Sequence, residues 1–347
     1  MSHVFSVIGL NHGHIYGQVK GLLDTGKWRI RHVFAEEADL LAGFKTRVPD
    51  AVAASSVEAV LEDPEVELIA SASINAHRGP LAVQTLDAGK HFFVDKPCVT
   101  TLDQLAAVKA AVGRSDRKWF AFFGEMVTHV GVDWVRAELL KGNLGEPVHF
   151  MGLGPHTLRI QGRPEWMFRR ELYGGILNDI ASHQIAQFCY WMFQDPVPQF
   201  SRVGNLYHPD VPEFEDFGDA TLAGSKGGTG YIRADWFTPE GLPAFGDIRQ
   251  QLITTEAYIE HRKTIDIGAG ADGRGGKLIV TRMDRGPEVV DLSGMRSPFF
   301  DKLTSDVEEG TDTAIPFSLS YPASKAILEL QRDAVRLGPI ENKKVKL

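Results

Sequence analysis

Short β-branched runs and amphipathic stretches alternate through the first third of the chain, and this alternation constrains the fold more than any other feature. His3–Leu10 is an apolar run of strand type, and His14–Asp24 then places its apolar residues at helical spacing. The same order of strand and helix continues to Phe123, with further helices predicted at 38–47 and 80–88. Strands that alternate with helices in this way form a parallel sheet with helices on both faces. We therefore predict an α/β domain with a doubly wound parallel sheet over residues 1–123.

The remainder of the chain has a different pattern, because several strands follow one another there without helices between them. A long helix is predicted at 175–193, and strand and turn patterns fill residues 200–292. We predict an α+β domain over residues 124–347, in which a large and mostly antiparallel sheet carries the long helix on one face. The closing helix, 321–337, can pack back on the first domain.

Composition narrows the class of protein. The chain has 347 residues and a formal net charge of −8, so a basic surface for nucleic acid is not expected. No apolar run reaches the roughly 20 residues that span a bilayer, and no basic segment precedes the first strand, so we expect neither a membrane anchor nor a secretion signal. Two cysteines, Cys98 and Cys189, suit a reducing compartment. We predict a cytoplasmic protein that binds neither nucleic acid nor membrane.

The turn after the first strand, VIGLNHGHIYG, lies where a Rossmann domain binds the diphosphate of a dinucleotide. Gly9 can make the tight turn, but the second and third glycine positions hold Asn11 and His14. Asn11 is a plausible replacement because asparagine enters the left-handed region more readily than most residues. The helix start near Gly13 offers N–H groups to an anion, and His12 or His14 can add a donor. A generic strand-to-helix turn is the alternative.

Residues near this turn bear on which cofactor the protein prefers and on whether it binds a metal. Glu36 ends the second predicted strand, where a carboxylate can accept from both ribose hydroxyls and would repel a 2′-phosphate. This favours NAD over NADP. The alternative is that Glu36 is a solvated strand end. His12 and His14 also suggest a metal, but the sequence places no cysteine or carboxylate ligand pattern around them. We predict no metal site.

Two further stretches can carry chemistry. GKHFFVDKP delivers Lys96 at the carboxyl end of a strand, where it can polarise a substrate hydroxyl; the alternative is a surface lysine. YGGILNDIASHQIAQF places Asp179 and His183 four residues apart, on one face of the long predicted helix. A carboxylate that orients an imidazole suits general acid–base catalysis. A helix-stabilising pair and half of a metal site are the alternatives.

Together these stretches resemble the Gfo/Idh/MocA oxidoreductases. Four stretches occur in the order and at the distances of that family: Gly9 with its strand, DPEVELIASA, GKHFFVDKP and GGILNDIASHQ. The resemblance implies a nicotinamide-binding Rossmann domain, and a second domain whose sheet often forms the oligomer contact. It also implies that Lys96 lies by the nicotinamide and substrate, that His183 transfers the proton beside Asp179, and that Asn75 contacts the cofactor.

The chain departs from the family pattern at several positions. Asn11 and His14 alter the glycine-rich loop, and Asp95 replaces the glutamate before Lys96. Ala186 stands where many members have an aspartate, and Arg78 lies nearest the place of a family histidine. These differences concern the geometry of the cofactor more than the three catalytic candidates.

Substrate contacts are predicted from GPHTLRIQGRPEWMFRR and from the residue after the last Rossmann strand. Arginines bind carboxylates, tryptophan can stack on a sugar, and a carboxylate can bind a hydroxyl. The candidates are Glu125, His156, Arg159, Arg163 and Trp166, together with Asp179 and His183. The alternative is that the arginines only pair with acidic residues of the chain.

We predict an NAD-dependent oxidoreductase that transfers a hydride to or from a carbinol carbon of a sugar, polyol or sugar acid. The first alternative is an epimerase, lyase or glycosidase that recycles bound NAD, and the second is a non-catalytic dinucleotide-binding protein. The resemblance implies a homo-oligomer, a dimer or tetramer, formed through the second sheet.

Overall fold

A computed structural model describes residues 2–340, the side chains of residues 271 and 272 excepted. The chain forms two compact units. The first contains the residues up to Val130 together with Met295–Lys325, and the second contains Gly131–Gly294 and the described residues from Ala326.

The first unit is built on a parallel sheet in which six strands have the order β3-β2-β1-β4-β5-β6 among the described residues. The strands are β1 His3–Ile8, β2 Trp28–Phe34, β3 Val52–Ala53, β4 Leu68–Ser71, β5 His91–Asp95 and β6 Trp119–Phe122. The helices are α1 His14–Asp24, α2 Ala38–Arg47, α3 Val57–Leu61, α4 Asn75–Asp87, α5 Leu102–Arg114 and α6 Gly124–Val127. The central strands are apolar and buried, as a sheet covered on both faces requires. The predicted doubly wound parallel sheet is confirmed.

The second unit contains a sheet whose nine strands have the order β14-β13-β12-β11-β7-β10-β9-β8-β15 in the described part of the chain. Its strands are β7 Pro147–Pro155, β8 Pro196–Gly204, β9 Phe217–Gly224, β10 Thr229–Asp235, β11 Arg249–Thr254, β12 Ala257–Arg262, β13 Lys277–Arg282, β14 Arg285–Val289 and β15 Val335–Leu337. Its helices are α7 Val130–Leu140, α8 Arg170–Tyr173, α9 Ile176–Asp179 and α10 Ser182–Met192. Helix α11 Phe299–Glu309 belongs to the first unit, and α12 Phe317–Asp333 has residues in both units. Most neighbours are antiparallel, and the pairs β7–β10 and β8–β15 are parallel. The predicted large, mostly antiparallel sheet is confirmed.

Helix α10 lies on one face of this sheet because glycines in the strands make room for its side chains. A Cβ atom at Gly152 would lie 2.8 Å from the side chain of Gln184. At Gly230 it would lie 2.8 Å from the ring of Phe188. These distances are shorter than ordinary van der Waals contact, so only glycine permits this approach. The helix that carries the predicted proton-transfer residue is therefore held closely on the sheet.

One segment lies outside its predicted domain. Residues 295–325 were predicted within the second domain, 124–347, but they pack in the first unit. Residues 341–347 of that predicted domain lie outside the described residues. The rings of Phe299 and Phe300 contact Phe93 at centroid distances of 5.9 and 6.1 Å, and the indole of Trp28 donates to Thr304 at 2.8 Å. These are long-range contacts, which local sequence patterns do not reveal. The predicted closing helix, 321–337, overlaps α12, but residues 335–337 form β15 and not a helix. Helix α12 belongs to the first unit as far as Lys325.

None of the helices among residues 2–340 combines the length and the apolar character that a bilayer crossing demands.

Candidate active site

Gly9 makes the tight turn after β1. Its φ is +85°, and a Cβ atom there would lie 2.4 Å from the Cβ of Ser73. Its N–H donates to the carbonyl of Phe34 at 2.9 Å, and its carbonyl accepts from Ala72 at 3.2 Å. The turn is thereby joined to the ends of β2 and β4, and the first requirement of a dinucleotide loop is met.

Asn11 contributes through its side chain rather than through an unusual backbone. In the described part of the chain the non-glycine residues with positive φ are Arg159 and Phe193, so the expected left-handed conformation at Asn11 is absent. Its Nδ2 instead donates to Oε1 of Glu37 at 2.6 Å. Glu37 precedes α2, and the adjacent Glu36 is exposed. Sequence reasoning singled out Glu36 and missed Glu37, although both carboxylates directly follow the second strand.

A cavity of about 290 Å³ opens beside this turn within the first unit. Its lining combines backbone at the turn, two carboxylates and apolar side chains: Gly9, Asn11, Glu36, Glu37, Ser73, Ile74, Leu81. Apolar walls with a few polar groups are typical of a small-molecule site. The residues present therefore fit the adenosine half of a dinucleotide, with carboxylates at the ribose position. Asn75, predicted to contact the cofactor, is the first residue of α4 and is buried.

The two histidines of the loop are held by Asp95. Nδ1 of His14 lies 2.8 Å from one carboxylate oxygen, and Nδ1 of His12 lies 3.3 Å from the other. The fully buried guanidinium of Arg78 lies 3.2 Å from the second oxygen. Burial acts to raise the pKa of Asp95, but the charges of His14 and Arg78 outweigh it and hold that pKa well below its usual range. Burial lowers the pKa of His12, and His14 lowers it further.

The cluster of His12, His14 and Asp95 has the composition of a metal site. The ligand atoms of His12, His14 and Asp95 lie within 4.8 Å of one another, so a carboxylate does accompany the two histidines. The sequence did not reveal this because Asp95 is distant along the chain. Arg78 places a positive charge on the same carboxylate, which opposes a metal cation. The absence of a metal stays a prediction.

Arg78 also organises the backbone around Lys96. Its guanidinium donates to the carbonyls of Ser73, Asp95 and Pro97 at 2.8, 3.2 and 3.1 Å, and to that of Lys96. Lys96 follows β5 directly and is 4% exposed. The turn that carries this lysine is therefore tied to the turn after β4 by a single buried side chain. Sequence reasoning noted Arg78 only as a departure from the family.

Asp179 and His183 lie on two helices, not on one. The predicted continuous helix, 175–193, is interrupted at Ile180 and Ala181, so Asp179 ends α9 and His183 is the second residue of α10. The hydroxyl of Ser182 donates to the carbonyl of Asp179 at 3.2 Å, which competes with regular helical bonding. Both candidates are buried, with 6% and 2% of their surface exposed.

Among the predicted substrate residues, Arg163 is held by contacts within its own unit. Arg163 donates to the carbonyls of Leu158 and Thr157 at 2.9 and 3.3 Å and lies 4.6 Å from the ring centre of Trp236. Burial lowers its pKa, and the charge of Asp179 opposes this. These contacts indicate that Arg163 organises its own loop.

The other candidates occupy different positions. The ring of His156 packs on Trp236 and Phe245 at centroid distances of 5.5 and 5.2 Å. Arg159 is exposed and has a φ of +47°. Trp166 is buried, and this burial disfavours the stacking of a sugar on its indole. Glu125 is buried in the first turn of α6.

Comparison with known proteins finds similarity over both units of the chain. A family model described as an oxidoreductase family with an NAD-binding Rossmann fold matches residues 5–123, and one described as a GFO/IDH/MocA C-terminal domain matches residues 132–260. A crystal structure described as that of a candidate oxidoreductase from Erwinia carotovora atroseptica SCRI1043 is 37% identical, with a TM-score of 0.93. That alignment covers 97% of this chain and 100% of the other. This chain belongs to the Gfo/Idh/MocA oxidoreductase family.

Curated relatives within the Gfo/Idh/MocA family are more distant. The NAD(+)-dependent scyllo-inositol 2-dehydrogenase of Bacillus subtilis (strain 168) is 25% identical over 204 residues, which is 58% of this chain and 56% of that protein. The levoglucosan dehydrogenase of Pseudarthrobacter phenanthrenivorans (strain DSM 18606 / JCM 16027 / LMG 23796 / Sphe3) is 26% identical over 207 residues, 58% of this chain and 52% of that protein. The chain thus spans about half the length of these two curated relatives.

Proposed function

We propose that this member of the Gfo/Idh/MocA family is an NAD-dependent oxidoreductase that transfers a hydride between nicotinamide and a carbinol carbon of a sugar, polyol or sugar acid. The observation that carries the proposal is the presence of Lys96, Asp179 and His183 in a chain that matches both family domains. The curated relatives described above support a carbohydrate substrate, since their names specify scyllo-inositol and levoglucosan.

The proposed roles follow from the chemistry of each side chain. Bound NAD supplies an acceptor for the hydride. A ring nitrogen of His183 accepts the hydroxyl proton during oxidation, and the carboxylate of Asp179 stabilises the imidazolium that forms. The ammonium of Lys96 donates to the substrate oxygen and stabilises the negative charge that develops there. Glu125 and His156 remain candidates for further substrate hydroxyls.

Cofactor binding is assigned to the first unit. We propose that Gly9 and Gly13 admit the diphosphate at the start of α1, that His12 and His14 donate to it, and that Asn75 contacts the nicotinamide half. Glu36 accepts from the adenosine ribose, while Glu37 positions Asn11. With two carboxylates beside the ribose position, a 2′-phosphate is repelled, so NAD is preferred over NADP.

The cofactor assignment is tested by titrating purified protein with NADH and NADPH and following nicotinamide fluorescence. We expect tighter binding of NADH. Glu36→Ala should lower NADH affinity roughly tenfold, the equivalent of one or two lost hydrogen bonds, and should narrow the preference over NADPH. Asp39→Asn, an exposed acid in the first turn of α2, is the matched control. Equal affinity of wild-type protein for both cofactors would contradict the assignment.

The activity is tested with NAD and a panel of scyllo-inositol, levoglucosan and D-gluconate, following NADH formation and substrate loss separately. His183→Asn should reduce kcat by roughly 10²- to 10⁴-fold, the usual contribution of a general base, and Lys96→Met should also reduce it. NADH affinity of the His183 variant should stay at the wild-type value. Substrate loss without NADH would identify the alternative in which bound NAD is recycled.

Assembly and location are also proposed. The sheet face turned away from α10 exposes large apolar side chains, namely Phe200, Ile253, Tyr258 and Val289. We propose that this face joins copies of the chain into a dimer or tetramer, which sedimentation velocity can test. We propose a cytoplasmic location, in keeping with the two free buried cysteines.

A further inference from the structure

Helix α10 covers one face of the nine-stranded sheet, and this face becomes polar towards the end of β12. Ile259, His261 and Lys263 alternate onto this face and are at most 4% exposed. Period-two alternation would reserve the last of these positions for an apolar side chain. Burying an ammonium costs free energy that an apolar residue would not. A lysine at such a position therefore calls for a functional or structural reason.

Contacts place this ammonium close to the proposed proton-transfer residue. Nζ of Lys263 donates to Oε1 of Gln187 at 2.8 Å. Gln187 follows His183 by four residues on α10, so the two side chains lie on the same face, one helical turn apart. The backbone N–H of Lys263 donates to the carbonyl of Ile248 at 2.9 Å, which extends the ladder between β11 and β12. Both ends of the lysine are thus held by the fold.

Neighbouring amides indicate that a polar molecule belongs here. Among the described residues, Nε2 of Gln187 and both amide atoms of Gln250 have no hydrogen-bond partner, and both residues are 0% exposed. Gln250 pairs with His261 in the strand register, so it lies on the same polar stretch of the face. Buried polar atoms in folded proteins nearly always have a partner. A ligand or water that offers hydroxyl groups would provide one.

Ion pairs between other residues already tie down this end of β12. The ion pairs that hold this end of β12 lie on the opposite face, where Arg262 contacts Glu260 at 2.7 Å and also contacts Asp266. Lys277 binds the other oxygen of Asp266 at 2.7 Å. The end of the strand is therefore already tied down without Lys263.

We propose that Lys263 anchors the carbohydrate substrate by donating to the hydroxyl oxygen next to the reacting carbinol, with Gln187 holding the ammonium in place. This inference rests on the proposed function. An ammonium carries three donors, so it can bind Gln187 and a substrate oxygen at the same time. The site would then select polyhydroxylated substrates with a hydroxyl beside the reacting carbon.

The test compares wild-type protein with Lys263→Met, Lys263→Arg and the control Lys226→Met, which alters an exposed lysine of the same unit. Each is assayed with the panel compound that wild-type protein oxidises and with its analogue lacking the adjacent hydroxyl. We expect wild-type protein to prefer the parent compound at least tenfold in kcat/KM. Lys263→Met should raise KM for the parent at least tenfold and reduce that preference below threefold. Lys263→Arg should restore part of it.

NADH affinity, measured by fluorescence, separates the possible failures. We expect it to be unchanged in all variants, because the dinucleotide is assigned to the other unit. A Lys263→Met protein that keeps the wild-type preference for the parent compound would overturn the role of Lys263 and leave the oxidoreductase proposal intact. If wild-type protein oxidises none of the panel, the proposed carbohydrate activity fails, and this inference fails with it.

Discussion

Gly9 lies at a tight turn of the first unit that leaves no room for a side chain. Alanine there would combine a positive φ with a Cβ atom 2.4 Å from the Cβ of Ser73. We expect Gly9→Ala to lower the free energy of unfolding by about 3 kcal/mol, since left-handed backbone and steric overlap are both costly. Urea denaturation measures the change.

Gly13 supplies the matched control for Gly9→Ala. It lies in the same loop, but a Cβ atom there would meet nothing within 4 Å, and its φ is −62°. Gly13→Ala should therefore leave the unfolding midpoint within experimental error. Equal destabilisation by both substitutions would show that loop flexibility, and not the contact with Ser73, sets the requirement for glycine.

At the level of single residues, the sequence predicted correctly a position whose role depends only on its own backbone conformation. Gly9 was identified because a tight turn at that position needs a positive φ, and the structure has one. Glu37 and Arg78 were not identified, because their importance depends on partners distant along the chain: Asn11 and Asp95. Spacing along a sequence does not reveal which distant side chains meet.

At the scale of elements, Arg78 links α4 to the turns that follow β4 and β5. Arg78→Met should lower the free energy of unfolding by about 3–5 kcal/mol, because it leaves the buried carboxylate of Asp95 without its guanidinium partner. It should also reduce kcat, since the carbonyls of Lys96 and Pro97 lose their donor.

The control for this element is an exposed arginine. Arg114 pairs with Asp87 at 2.7 Å on the surface, and Arg114→Met should cause no measurable change in stability or kcat. If Arg78→Met were as stable as Arg114→Met in urea denaturation, the buried guanidinium would not be the link between these turns.

Helix boundaries show which local signals can mislead. Helices α1 and α2 were predicted at the observed bounds, because apolar spacing and end signals agreed there. Helix α4 was predicted to begin at Pro80 but begins at Asn75. Proline leaves the carbonyl of Ala76 without its helical donor, and the side chain of Gln104 supplies one at 2.9 Å. A distant glutamine therefore permits a helix that the local sequence argues against.

At the scale of the whole molecule, the pH dependence of stability should report on buried histidines. His91 in β5 is 4% exposed; its Nδ1 accepts from the N–H of Lys118 at 3.0 Å. Burial lowers the pKa of His91 to about 4, and the charge of Arg117 contributes. In the unfolded chain the pKa of histidine is about 6.5. Between these values the unfolded chain binds a proton that the folded protein does not.

The sign of the effect follows from this difference. Stability should be fully present above pH 6.5 and should fall as the pH drops towards 4, because protonation favours the unfolded chain in that window. At about 1.4 kcal/mol per pH unit, His91 alone accounts for roughly 3 kcal/mol of that loss. His12, whose pKa is also lowered, adds to the loss in the same direction.

The measurement is urea denaturation of wild-type protein and of His91→Asn at intervals from pH 7 to pH 4. Asparagine can still accept from the N–H of Lys118 but does not titrate, so the variant should lose less stability on acidification than wild-type protein does. His77→Asn, which removes an exposed histidine, should keep the wild-type slope. Parallel curves for wild-type protein and His91→Asn would mean that other groups govern the acid response, and that His91 accepts its proton without unfolding the sheet.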